Sequence, residues 1–276
     1  MTEPQSPPKN DEPELAEAPR PRRKGIYVLP NAVTLAALFA SFYAIVMAMN
    51  GRFEAAAIGI FCAAVLDALD GRVARMTNSQ SAFGEQMDSL CDMVGFGAAP
   101  AIIVYTWALQ GLGRWGWIPA FVYIAGAALR LARFNTNIGI VDKRFFQGLP
   151  SPAAAALVMG LIWVMDDAGF KNAWQIDWLA WTAFAVTLYA GLTMVTNVPF
   201  YSFKVVGAKQ TVPFASIMAI ALGIALISQN PPLALFVLFC IYGVSGYGVY
   251  IWRRMKGRPV SVIATSTDDP DEKGLH

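Results

Sequence analysis

Long apolar runs separated by short polar stretches dominate the chain. Eight runs stand out, at about residues 31–49, 53–75, 84–110, 116–135, 152–165, 177–195, 212–228 and 232–252. A helix rising 1.5 Å per residue needs about 20 apolar residues to cross a bilayer, so each run reads as a spanning helix, the fifth a short one. Asn31 directly follows Pro30 and is expected to cap the first helix. The expected fold class is therefore all-α: a polytopic transmembrane helix bundle of about eight spans. Composition agrees, with 56% hydrophobic and 14% charged residues.

The polar stretches give the orientation. Residues 1–25 are rich in proline and charge and are expected to be disordered, as is the polar tail from about 257 to 276. The first segment ends in the basic cluster Arg20, Arg22, Arg23 and Lys24, beside the first span. With the N-terminus cytoplasmic, that cluster shares a side with Lys143, Arg144, Lys204, Lys209, Arg253, Arg254, Lys256 and Arg258. The opposite side holds only Arg52, Arg114 and Lys171. That bias is the positive-inside pattern, and eight spans return the C-terminus to the cytoplasm. The basic cluster is read as a topology signal, and no nucleic-acid partner is expected. The expected location is the cell's inner membrane, with both termini cytoplasmic.

Against this apolar background, one polar stretch carries the chemistry. Residues 67–92 read D-A-L-D-G-R-V-A-R-M-T-N-S-Q-S-A-F-G-E-Q-M-D-S-L-C-D. Asp67 and Asp70 are i,i+3 and Asp88 and Asp92 are i,i+4, so each pair shares a helix face. Ionisable groups at or near membrane depth are costly and mark function by default. Asp67, Asp70, Glu85, Asp88 and Asp92 against Arg72 and Arg75 leave a net −3. Such a cluster needs cations or shifted pKa values. Divalent cations on carboxylate oxygens, of the kind that also hold substrate phosphates, fit it, and four carboxylates suffice for two ions. Gly71 and Ala74 continue one face and Gly84 and Gly95 the other. Helical glycine costs about 1 kcal/mol against alanine, so these positions suggest close approach by a ligand or another helix.

Other features mainly exclude. The sole histidine is His276, at the terminus, which removes histidine triads, histidine zinc sites and histidine phosphoryl intermediates. Cys62, Cys91 and Cys240 lie in apolar runs without metal-type spacing and read as buried hydrophobes. Arg130 and Arg133, i,i+3 at the cytoplasmic end of the fourth span, either snorkel to the interface or clamp an anionic group. Residues 146–152, F-Q-G-L-P-S-P, form a stiff loop into the fifth span.

The spacing D-x2-D-G-x2-A-R-x8-G-x3-D-x3-D resembles the signature of the CDP-alcohol phosphotransferase family. All eight fixed positions are present: Asp67, Asp70, Gly71, Ala74, Arg75, Gly84, Asp88 and Asp92. Further segments resemble the integral-membrane phosphatidylserine synthases within it: P-N-A-V-T (30–34), D-S-L-C-D-M-V-G-F-G-A-A-P-A (88–101), A-L-R-L-A-R-F-N (128–135), G-L-P-S-P-A-A-A (148–155) and N-V-P-F-Y-S-F-K (197–204). Gly95 departs from the pattern, where serine is more usual. The phospholipase D-like synthases work through paired H-x-K motifs, which this chain lacks. The resemblance implies a catalytic bundle at 26–205 and two further transmembrane helices in 206–256.

The resemblance also implies a reaction. CDP-diacylglycerol would be the donor, L-serine the acceptor, and phosphatidylserine and CMP the products. Asp67, Asp70, Asp88 and Asp92 would hold two Mg²⁺ or Mn²⁺ ions, and Asp92 would also be the general base. Gly71, Arg75 and Gly84, with Asn31, Thr34 and Ser81, would contact nucleotide and pyrophosphate. Arg130 or Arg133 would hold the serine carboxylate, and the protein would be a homodimer in the bilayer. Two other readings stay open: the same transfer to another alcohol (glycerol 3-phosphate, an inositol compound or choline), and an ion-coupled transporter. The transporter gives no reason for the spacing of Gly71, Arg75 and Gly84.

Overall fold

The computed structural model of the chain describes residues 28–77, 79, 81–136, 145–201, 218, 222, 223, 225 and 227–256. Eight α-helices account for most of it: α1 (Val28–Met49), α2 (Phe53–Met76), α3 (Ala82–Asp92), α4 (Ala99–Trp107), α5 (Trp117–Thr136), α6 (Ser151–Asp167), α7 (Asp177–Val195) and α8 (Pro231–Met255). Helices α3 and α4 run on as one rod through a π-helical stretch at Met93–Ala98. Seven of the eight expected apolar runs are thus helices. The run at 212–228 falls largely outside the described residues.

Five helices are long and apolar enough to cross a membrane: Leu29–Met49, Ala82–Trp107, Trp117–Thr136, Asp177–Val195 and Pro231–Met255. This is an integral membrane protein. Two of the expected spans are different in kind. Helix α2 carries Glu54, Asp67, Asp70, Arg72 and Arg75, and α6 has only 17 residues. Residues Ala153 to Ile162 of α6 are all buried, so its apolar run serves the protein core and not lipid. The expectations for residues 1–25 and 257–276, and for Lys143, Arg144, Lys204 and Lys209, lie outside the described residues.

Hydrophobicity alone does not drive helices together in lipid, so close packing has to. Small residues make it possible here. Helices α1 and α2 meet along Ala44, Ala48, Ala56 and Gly59. A methyl group at Gly59 would lie 3.0 Å from the Ala44 Cβ. Helices α5 and α7 cross at Gly126 and Gly191, where a methyl on Gly126 would strike the Gly191 carbonyl. Both of these helices carry tryptophans at their starts: Trp117 on α5, and Trp178 and Trp181 on α7, with Trp115 and Trp174 just ahead. All five are exposed, as befits an aromatic belt at one membrane interface.

At the other ends of α5 and α7, a two-stranded antiparallel ribbon forms, β1 (Phe145–Gln147) with β2 (Pro199–Tyr201). Gly148, which follows β1, has φ 74° and donates its N–H to the Val198 carbonyl at 2.9 Å. Only glycine takes that backbone angle readily, and any side chain there would strike the Met194 carbonyl. The turn delivers Ser151 to the start of α6.

Candidate active site

The motif forms at the end of the bundle opposite the tryptophans, where α1 and α3 begin and α2 ends. Asn31 lies inside α1, not at its cap as the sequence suggested. The helix runs through Pro30, whose missing N–H costs nothing in a first turn. Three residues further on, buried Thr34 donates its hydroxyl to Asp70 Oδ2 at 2.7 Å. On α3, Ser81 is the N-cap and accepts from the Gly84 N–H at 3.0 Å. The starts of α1 and α3 both face the same cleft, which favours bound anions.

That cleft has a volume of about 550 Å³. Asn31 and Thr34 line it from α1, Asp70, Gly71 and Arg75 from α2, and Ser81, Gly84 and Asp88 from the start of α3. The three glycines noted in the sequence separate into two kinds. A methyl at Gly84 would meet Ser81 Oγ at 3.2 Å and Asn31 Oδ1 at 3.3 Å, and one at Gly95 would meet Ser41 Oγ at 2.8 Å. These two serve helix packing. A methyl at Gly71 would meet nothing closer than Arg75 Nη1 at 3.8 Å. Protein packing does not require glycine there, and the space above it is part of the cleft.

Asp67, Asp70 and Asp88 each offer an oxygen within 4.8 Å of the others. Charged, each pair at that distance repels by about 3 kcal/mol at an effective dielectric of about 20. A divalent cation reverses that cost. Oxygens around Mg²⁺ at 2.0–2.1 Å stand about 3 Å apart when adjacent and about 4 Å when opposite, so small side-chain rotations suffice. The donor set fits a hard divalent cation. Asp92 is not one of those three. It lies one turn further along α3, close to Asp67 and Asp88.

Residues 27–189 match the CDP-alcohol phosphatidyltransferase family. That stretch is more than half the chain and contains all four aspartates. The chain belongs to this family. Among relatives, a CDP-diacylglycerol–serine O-phosphatidyltransferase of Helicobacter pylori is 34% identical over 220 residues, 79% of this chain and 90% of that protein. One of Mycobacterium leprae is 31% identical over 236 residues, 83% of this chain and 76% of that one. A solved Mycobacterium tuberculosis phosphatidylinositol phosphate synthase with CDP-DAG bound covers 68% of this chain and 92% of its own. At 19% identity and a TM-score of 0.40, no residue is transferred from it.

In this phosphatidyltransferase the family motif spans both sides of the acidic cluster. Asp70 and Asp88 line the cleft; Asp67 and Asp92 do not. All six residues expected at nucleotide and pyrophosphate do line it. Arg130 and Arg133 lie outside it and have separate surroundings. Arg130 Nη1 donates to Ser151 Oγ at 2.9 Å, while Arg133 Nη1 donates to Asn197 Oδ1 at 3.2 Å. Glu85, counted in the sequence only for its charge, also lines the cleft, as do Ser79 and Phe134, which sequence reading missed. Phe134 was within reach, because it follows Arg133 in a segment already singled out for its arginines. Sequence reading also missed the π-helical stretch directly after Asp92. There Tyr123 of α5, fully buried, donates its hydroxyl to the Phe96 carbonyl at 2.9 Å. No residue pattern signals a π turn; the bond that holds it comes from another helix.

Proposed function

We propose that the protein transfers the phosphatidyl group of CDP-diacylglycerol to the hydroxyl of L-serine, giving phosphatidylserine and CMP. The observation that carries this reading is the union of an acidic cluster with an anion-favouring cleft built from the family's own motif residues. The relatives named above, by their names, act on CDP-diacylglycerol and serine. Over three quarters of this chain aligns with each of them.

The cytidine and pyrophosphate occupy the cleft over Gly71, with Arg75 and the starts of α1 and α3 against the negative charge. Asp67, Asp70, Asp88 and Asp92 would hold two divalent cations, Mg²⁺ or Mn²⁺. Bound there, such ions would neutralise pyrophosphate charge and stabilise charge that develops on the phosphoryl oxygens. Asp92 takes the proton from the serine hydroxyl, a poor nucleophile until it loses it. The serine oxygen then bonds to the diacylglycerol-bearing phosphorus as the bond from that phosphorus to the CMP oxygen breaks, and CMP leaves with the electron pair. Thr34 orients Asp70. The acyl chains stay in the bilayer. The enzyme works as a homodimer in the cell's inner membrane, with this face and both termini cytoplasmic.

The test is incubation of purified protein with CDP-diacylglycerol and a panel of serine, glycerol 3-phosphate, inositol compounds and choline, following CMP and the lipid formed. Serine alone should give both. Chelation should stop CMP release, and Mg²⁺ or Mn²⁺ should restore it. Absence of turnover with serine, where another alcohol reacts, overturns the choice of acceptor.

A further inference from the structure

Helices α1, α2 and α3 build most of the cleft, and among the described residues α5 adds a single one, Phe134. It is also the one aromatic side chain among the described residues that line the cleft; the others are polar, charged or small.

The chain on either side of Phe134 is tied down. Arg133 Nη1 donates to Asn197 Oδ1 at 3.2 Å, just ahead of β2. Asn135 Nδ2 donates to Ser89 Oγ at 3.1 Å, and its Oδ1 accepts from the same hydroxyl at 3.3 Å. Ser89 directly follows Asp88 on α3, so this clamp sets the end of α5 beside the acidic cluster. Thr136 closes the helix by donating its hydroxyl to the Arg133 carbonyl at 3.0 Å. Held this way, the Phe134 side chain is still 52% exposed. Apolar surface in a polar, anion-favouring cleft is unfavourable until something apolar covers it. A planar heterocycle would cover it: bases stack on aromatic rings through their π-faces, while polar walls take the sugar and phosphates.

We infer that Phe134 is the platform on which the donor's nucleobase stacks, a binding residue that α5 contributes to the nucleotide side of the cleft. The inference deepens the reading of this cleft as the nucleotide site and rests on it.

The experiment compares full-length wild type, Phe134→Leu and Phe134→Trp in detergent with Mg²⁺ present. It measures the Kd of CMP by calorimetry, the KM values for CDP-diacylglycerol and serine, and the thermal unfolding midpoint. Leucine keeps apolar bulk and removes the π-face; tryptophan enlarges the π-face. Stacking predicts that Phe134→Leu binds CMP about tenfold more weakly than wild type and Phe134→Trp at least as tightly. The KM for CDP-diacylglycerol should rise by a like factor in Phe134→Leu, while the KM for serine holds within about twofold. A ring that only fills space gives the reverse order, with leucine retained and the larger tryptophan lost. That order, equal CMP binding by all three proteins, or a serine KM that moves while CMP binding does not, overturns the inference. Should the midpoint show that Phe134→Leu does not fold, Phe134→Trp decides: weaker CMP binding than wild type overturns the inference, and binding at least as tight supports it. If wild type binds CMP but transfers to another alcohol, only the choice of serine fails, and the same ordering still tests Phe134. If wild type binds no CMP, the reading of the cleft fails and the inference with it.

Discussion

Gly71→Ala separates the two reasons a glycine can sit in a helix. Gly71 lies in α2, and a methyl there would meet only Arg75 Nη1, at 3.8 Å, an ordinary contact. The protein itself therefore tolerates alanine. Removing backbone freedom from the unfolded chain should stabilise by about 0.4–1 kcal/mol. If donor fills the open space, the same methyl displaces it. Overpacking typically costs about 1–3 kcal/mol. At about 1.4 kcal/mol per decade, the KM for CDP-diacylglycerol should rise roughly 5- to 150-fold. Thermal unfolding in detergent should give an unchanged or higher midpoint, while CMP release at low donor concentration falls. Two results would refute the reasoning. Wild-type KM for the donor would mean that nothing occupies the space over Gly71. A lower midpoint would mean that alanine meets a neighbour the structure lacks.

Asp92→Asn keeps the shape of the proposed base and removes its proton-accepting charge; CMP release should fall by at least 100-fold while the protein still binds CDP-diacylglycerol, and retained turnover would exclude Asp92 as base. Thr34→Val deletes the hydroxyl that Asp70 accepts at 2.7 Å. It should raise the metal concentration needed for half-maximal CMP release several-fold, and an unchanged metal dependence would show that Asp70 needs no such support. Tyr123→Phe removes the bond to the Phe96 carbonyl and should cost about 1–2 kcal/mol, read as a lower unfolding midpoint. Gly84→Ala should also lower that midpoint, because its methyl would press on Ser81 Oγ and Asn31 Oδ1.

Local rules explain what could be read without a structure. Helix periodicity and hydropathy act over neighbouring residues, so the ranges of α2, α5, α7 and α8 were legible to within a few positions. The spacing of Asp67, Asp70, Asp88 and Asp92 is local too, and it identified the two faces that carry the acids. Asn31 shows where local rules fail: a cap-like residue after a proline sat inside a helix that had already begun.

The sequence by itself determined that the chain is a membrane helix bundle of this family and which helix faces carry its clustered acidic residues. Tertiary structure decided the rest: which acids come within 4.8 Å of one another, which glycine faces open space, and which polar partner each of Arg130 and Arg133 takes. The physical reason is range. Hydropathy and helical period are properties of a segment, whereas a cleft is made by contacts between segments, and close packing of helices fixes those.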